Sequence, residues 1–263
     1  MEDIAAQRAA EWLLAEHRSG HRFATLGAPA APASVSDAYD IQDKYVALLR
    51  RESGEPAGYK VGLTSAAMQA FCRIDHPIAG VVLAARVHGS GARVRRADFG
   101  RLGLEFEIAV RIKSDVPATR SYTAEAIEAH IDGICAAIEL VDDRLADYAS
   151  LDVRSLVADN SWNAGIVLSE FKSSWPDLAA LPGRATRDND PIGEGYGRDI
   201  LGHPFNSVAW LATHLASRGA SLKAGEVVMT GSVMKTVFPE QDAHYRFELQ
   251  GLGSVEVQIA PAA

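Results

Sequence analysis

Gly103-Leu-Glu-Phe-Glu-Ile-Ala-Val-Arg-Ile112 sets Leu104, Phe106, Ile108, Val110 and Ile112 in strict alternation with Glu105, Glu107, Ala109 and Arg111. A period of two marks a strand with one face buried, and no other stretch of the chain shows it so cleanly. Upstream, Gly58-Tyr-Lys-Val-Gly-Leu63 and Gly80-Val-Val-Leu83 read as short strands, with a helical turn over 66–71 between them. Downstream, Thr123 can cap a helix that carries Ile127, Ile131, Ile134, Cys135 and Ile138 at helical spacing and runs into an apolar strand over 138–141. A further helix over 206–217 stops at Gly219. Strands over 227–230, 245–249 and 255–259 close the chain, the last two forming a hairpin that bends at Gly251 and Gly253.

Before these strands the texture is helical. Residues 4–17 read as a helix stopped near Gly20, followed by the loop Gly27-Ala-Pro-Ala-Ala-Pro-Ala33. Ser36 is placed to cap a second helix, with Ile41, Tyr45, Leu48 and Leu49 on its apolar face and Gly54 at its end. The pattern predicts a helical lobe over 1–56 and a β-rich core over 57–263. Many strands with few helices between them speak against a doubly wound parallel sheet, so the fold class is α+β, a mixed β core with peripheral helices. Trp12, Leu13 and Leu14 are more apolar surface than one short helix needs, and they serve either a subunit interface or docking onto the chain's own core.

The chain has 263 residues, 48% hydrophobic and 23% charged, with a formal net charge of -8, which suits a globular protein with a large core. A global basic field for gripping nucleic acid is absent. Arg93, Arg95 and Arg96 form the densest basic cluster, and they read as a solvated surface stretch. Two cysteines, Cys72 and Cys135, make no disulfide framework and point to a reducing compartment. No apolar run reaches the ~18 residues of a membrane span, and Met1 to Ala10 lacks the pattern of a signal peptide. The expectation is a cytoplasmic protein with no membrane and no nucleic-acid partner.

Glu105 and Glu107, two apart on a strand, leave the same face with Cα atoms ~7 Å apart. Carboxylates held that close repel unless a cation or a proton sits between them. By itself the pair could be the polar side of a solvent-facing strand. Glu139 changes the balance, because Ala136-Ala-Ile-Glu-Leu-Val141 surrounds it with apolar residues, where a charge must be paired or coordinated. Three carboxylates converging from two strands suit Mg²⁺ or Mn²⁺, hard ions that take oxygen ligands. Lys60 stands alone among glycines and apolar residues. It is a snorkelling surface lysine, a counter-charge for an anionic substrate, or a proton donor with a depressed pKa.

Five stretches carry a family resemblance: Gly-Tyr-Lys-Val-Gly-Leu-Thr-Ser over 58–65, Gly-Leu-Glu-Phe-Glu-Ile-Ala over 103–109, Ala-Ile-Glu-Leu-Val-Asp-Asp-Arg over 137–144, Asp-Asn-Ser-Trp-Asn-Ala-Gly-Ile-Val over 159–167 and Met-Thr-Gly-Ser over 229–232. With these the chain resembles the 2-oxopent-4-enoate hydratase and 4-oxalocrotonate decarboxylase family of the fumarylacetoacetase-like superfamily. The resemblance implies a β-roll or sandwich core, Mg²⁺ or Mn²⁺ at Glu105, Glu107 and Glu139, an active-site role for Lys60, and substrate binding by Leu104, Ser161 and Ser232. It also implies a homo-oligomer acting on a small 2-oxo acid, as in meta-cleavage catabolism of aromatic compounds. Two departures stand out. Relatives carry an acid within a P-D-x-G stretch where this chain has Pro77-Ile-Ala-Gly80, leaving Asp75 as a nearby substitute or a turn former. The run Ser232-Val-Met-Lys-Thr-Val-Phe-Pro239 is also bulkier than the resemblance leads one to expect. Asn163-Ala-Gly-Ile-Val167 favours hydration of a 2-hydroxy-2,4-dienoate, Ile78 fits the decarboxylases, and fumarylpyruvate-type hydrolysis lacks its E-x-x-x-H signal.

Overall fold

A computed structural model describes residues 1–118 and 121–260 of the protein. Two helices come first, α1 (Asp3–Arg18) and α2 (Val35–Ser53). The cap of α2 is Ser34 rather than Ser36. The Ser34 hydroxyl accepts from the Asp37 N–H at 3.1 Å, and the Asp37 carboxylate accepts from the Ser34 N–H at 3.0 Å. This reciprocal pair needs an acid three residues after the cap, which Ser34 has and Ser36 lacks.

The chain continues through β1 (Pro56–Gly62), α3 (Ala66–Cys72), β2 (Ile78–Leu83), β3 (Val87–Gly89), β4 (Ala92–Arg95) and β5 (Leu102–Ile112). After them come α4 (Ala124–Glu128) and β6 (Ile131–Asp142). Here the helix expected across 124–138 is corrected. Thr123 does cap α4, accepting from the Ala126 N–H at 3.2 Å, but the helix stops at Glu128. From Ile131 the chain pairs with β5 along almost its whole length, from Leu102 opposite Asp142 to Ile112 opposite Ile131. Both faces of β6 are covered, so its apolar residues run together without alternation and mimic helical spacing. The isoleucines, stiff at χ1, and Gly133 favour the strand.

The remaining elements are α5 (Val153–Ala158), β7 (Asn163–Leu168), β8 (Pro182–Arg187), β9 (Asp190–Tyr196), α6 (Pro204–Ser217), β10 (Val227–Ser232), β11 (Ala243–Leu249) and β12 (Gly253–Ala260). A seven-stranded sheet has the order β2-β1-β10-β5-β6-β7-β3, and a five-stranded sheet the order β4-β12-β11-β8-β9. Both mix parallel and antiparallel neighbours, β1 with β10 and β12 with β4 being parallel. The architecture is α+β.

The even-numbered side chains of β5 enter the main core, where the Phe106 and Phe247 rings lie 5.5 Å apart across the two sheets. The odd-numbered side chains face the other way. Ala109, Cys135, Ala137 and Met229 build a second, smaller cluster on that face, and Glu105, Glu107 and Glu139 share it. The helical lobe joins the main core: Ala6, Leu13, Ile41 and Tyr45 are buried in it and Leu14 packs against it. Leu13 is thus used within the chain, not at an interface, while Trp12 stays 37% exposed.

Candidate active site

The register of β5 and β6 puts Glu105 directly opposite Glu139, with Glu107 one step along opposite Ala137. One carboxylate oxygen from each of the three glutamates lies within 4.8 Å of the others. Each glutamate is also tied down by one oxygen. The Thr236 hydroxyl donates to Glu105 Oε1 at 2.7 Å, the Gly231 N–H to Glu107 Oε2 at 2.8 Å, and the Asn163 amide to Glu139 Oε1 at 2.8 Å. Glu107 Oε1 and Glu139 Oε2 are buried and accept no hydrogen bond. Lys60 Nζ lies 3.3 Å from Glu139 Oε2 as an ion pair, but off the direction of a hydrogen bond.

Local backbone explains this aim. A register shift in β10 between Met229 and Ser232 swings the Gly231 N–H onto Glu107. Gly231 has φ 116, and a Cβ there would meet Thr64 Oγ1 at 2.4 Å, so only glycine fits. Residues Asn160, Ser161 and Trp162 take φ 50, 52 and 60, a left-handed run that side chains ordinarily avoid. It is held by the Asn160 side chain on both the N–H and C=O of Val81, at 2.7 and 2.9 Å, and by Ser161 Oγ donating to the Ala79 carbonyl at 3.0 Å. The run delivers Asn163 to Glu139.

The electrostatics are those of unneutralised buried acid. Burial, together with Glu139 and Glu105, holds the Glu107 carboxyl well above its usual range. Burial also pushes Glu139 up to about 7, with Lys60 opposing. For Lys60, burial pulls the pKa down, but Glu139, Glu105 and Glu107 outweigh it and the result is upward. The three glutamates thus favour the ammonium form of Lys60. Three carboxylates face one cation, and two oxygens lack donors. An all-oxygen donor set with spare buried lone pairs fits a hard divalent ion.

A cavity of about 100 Å³ opens beside the glutamates, with Lys60, Glu105, Ile78, Tyr148, Ser161 and Thr236 on its wall. Glu107 and Glu139 lie fully buried, off that wall. Ser161 and Lys60 are therefore placed together as expected. Leu104 and Ser232 are not. Leu104 points into the main core, fully buried, and its N–H and C=O both bond to Val237, at 2.8 and 2.9 Å. Alternation requires this, since a neighbour of Glu105 must leave the opposite face. Ser232 Oγ is engaged with the Phe106 backbone, at 3.1 Å from its N–H and 3.2 Å from its carbonyl. Ile78 does line the cavity, whereas Asp75 is exposed and absent from the wall. Sequence reasoning missed Thr236, Tyr148 and the contact of Asn163. Asn163 and Thr236 lay in stretches already singled out, but their partners are distant in sequence. A roomier cavity of about 250 Å³ shares Trp162 with this one and is lined by His17, Tyr45, Arg86, Asp142 and Asp159. Glu52 and Asp98 also line it, but among the described residues only Glu105, Glu107 and Glu139 bring three carboxylate oxygens close enough together to share an ion.

Residues 59–260 match the model of the family described as Fumarylacetoacetate (FAA) hydrolase C-terminal. The chain is 33% identical over 241 residues to a 2-keto-4-pentenoate hydratase of Burkholderia vietnamiensis, covering 90% of each protein. It is 30% identical over 248 residues to a 2-hydroxyhexa-2,4-dienoate hydratase of Comamonas testosteroni, covering 92% of each. Among solved structures, 4-oxalocrotonate decarboxylase from Pseudomonas putida G7, complexed with magnesium and adipate, superposes with a TM-score of 0.91 at 27% identity, covering 99% of both chains.

Proposed function

The chain belongs to the fumarylacetoacetate hydrolase C-terminal family, and on that footing we propose that it is a metal-dependent hydro-lyase acting on a 2-hydroxy-2,4-dienoate. The enol proton leaves O2 and a proton is gained at C5. The oxygen of water then bonds to C4 and a proton reaches C3, giving a 4-hydroxy-2-oxo acid. The observation that carries this reading is the arrangement of the three glutamates, each fixed by one oxygen and converging by another beside a buried lysine and a cavity.

Glu105, Glu107 and Glu139 would hold Mg²⁺ or Mn²⁺; the decarboxylase neighbour carries magnesium. When bound, such an ion supplies a Lewis acid that favours the enolate form of a 2-oxo acid. Lys60 holds the substrate carboxylate and stands ready to give a proton at the carbon chain. The Ser161 hydroxyl, already donating to Ala79, offers its oxygen lone pairs to the cavity. Ile78 and Trp162 keep bulk water from that wall. Two free cysteines fit a reducing cytoplasm. Ile4, 68% exposed, and Trp12 on α1 support a homo-oligomer. A second reading, decarboxylation of a 4-oxalocrotonate-type diacid, is favoured by the close backbone match to the decarboxylase.

One assay separates the two. Loss of dienol absorbance with Mg²⁺, without trapped CO₂, is expected from 2-hydroxypenta-2,4-dienoate. CO₂ release from 4-oxalocrotonate with no hydration of any dienoate would overturn the hydratase reading.

A further inference from the structure

Away from Lys60 and Glu105 the cavity wall is mostly apolar, with Leu63, Met68, Cys72, Leu151, Leu156 and Trp162 on it and only Tyr148, Ser161 and Thr236 bringing hydroxyls. Building on the hydratase reading, we propose that this surface selects dienoates with one carboxylate and an uncharged alkyl group at the other end of the chain, and refuses a second carboxylate there. The argument rests on what the wall can offer a charge. Lys60 is its single cation among the described residues, sits 3.3 Å from Glu139 Oε2, and in the proposed reaction is taken by the substrate's first carboxylate. The polar hydrogens are committed as well: Ser161 Oγ donates to Ala79, the Thr236 hydroxyl to Glu105, and the Tyr148 hydroxyl to Asp143 at 3.0 Å. Burial raises the Cys72 thiol, so it stays neutral. Trp162 Nε1 has no partner, but a lone neutral N–H brings no charge.

The neighbouring arginines do not help. The Arg101 guanidinium lies 5.8 Å from the Tyr148 ring centroid, yet Asp143 binds it through Nε at 2.8 Å and through Nη2. Arg73, at the end of α3, is exposed and off the wall. A carboxylate pushed against Leu151 and Leu156 would lose its water and gain no counter-charge. An alkyl group in the same place only removes apolar surface from water. The mouth continues the theme, since Met68 is 39% exposed and the next turn of α3 presents Phe71, 49% exposed.

The test compares kcat/KM of the Mg²⁺-loaded protein for 2-hydroxypenta-2,4-dienoate, its 5-alkyl homologues and an ω-carboxylate analogue of matched length, with CO₂ trapped throughout. The alkyl homologues should equal or exceed the parent, and the ω-carboxylate should fall at least about a hundredfold below them. Met68→Lys, which adds a cation at a part-exposed position that tolerates it, should raise the relative rate of the ω-carboxylate at least about fivefold. Turnover of the ω-carboxylate within threefold of the alkyl substrates, by hydration or with CO₂ release, overturns the selection while leaving the metal-dependent reaction standing. No turnover of any dienoate overturns the hydratase reading and this inference with it.

Discussion

Two groups of buried carboxylates sit a few residues apart on and around β6. Glu139 faces Glu105 and Glu107 with Lys60 as the sole neighbouring cation among the described residues, and two of the glutamate oxygens accept no hydrogen bond. Asp143 and Asp159, equally buried, have every oxygen answered. Asp143 takes Arg101, the Tyr148 hydroxyl and the Leu145 N–H, while Asp159 takes Arg144 and His17, each at 2.6 Å. The first group is short of positive charge and the second is closed. Burial of acid is common to both, so burial alone does not mark a functional site. The deficit of donors and counter-charge does.

The closed group should be the more fragile when opened. Arg144→Met leaves Asp159 buried with His17 alone and should cost about 3–5 kcal/mol of unfolding free energy, read by chemical denaturation. A loss under 1 kcal/mol would mean the two groups do not differ in kind. Lys60→Met removes the single cation from the open group, and a divalent ion can restore the balance. The variant should fold and bind Mn²⁺ yet lose at least about a hundredfold in kcat/KM, or ~2.7 kcal/mol of transition-state stabilisation. A rate within threefold of the parent would make the lysine structural.

Glu107→Gln relieves repulsion without changing shape. The metal-free protein should melt no lower than the parent, while calorimetry shows Mn²⁺ affinity reduced about tenfold or more. Equal affinity would sink the ligand assignment. The same group carries a pH signature. A carboxyl whose pKa is raised on folding binds its proton more tightly in the folded chain. The metal-free protein should therefore lose stability as pH rises from about 4.5 to about 7, the window set by Glu139. Metal affinity should move the opposite way, falling as pH drops below about 7, because protons then compete for the same oxygens. Smallest of all is Asn163→Ala. It removes one hydrogen bond from Glu139, worth ~1 kcal/mol, and should weaken Mn²⁺ binding about fivefold with no change in substrate preference.

Much of this was legible in the chain itself. Alternation from Leu104 to Ile112 settled that Glu105 and Glu107 share a face, since pleating leaves no other arrangement. The apolar setting of Glu139 announced a charge in need of a partner. The turn at Asp188 and Asn189, both left-handed with φ 51 and 75, could have revealed the β8–β9 hairpin, although its half-exposed strands show little pattern. Other features depended on distant pairing. Whether residues 131–138 were helix or strand was decided by β5 and β7 on either side, because a run buried on both faces has no period to read. Leu104 and Ser232 drop off the cavity wall for the same kind of reason, as strand pairing sends one into the core and commits the other's hydroxyl to Phe106. Thr236, Asn163 and Gly231 reach the three glutamates across 131, 24 and 124 residues of chain. Local sequence thus determined which side chains bear the charge. Only the folded sheet, which brings distant donors to one oxygen of each glutamate and withholds them from others, decided where that charge stays open for a metal.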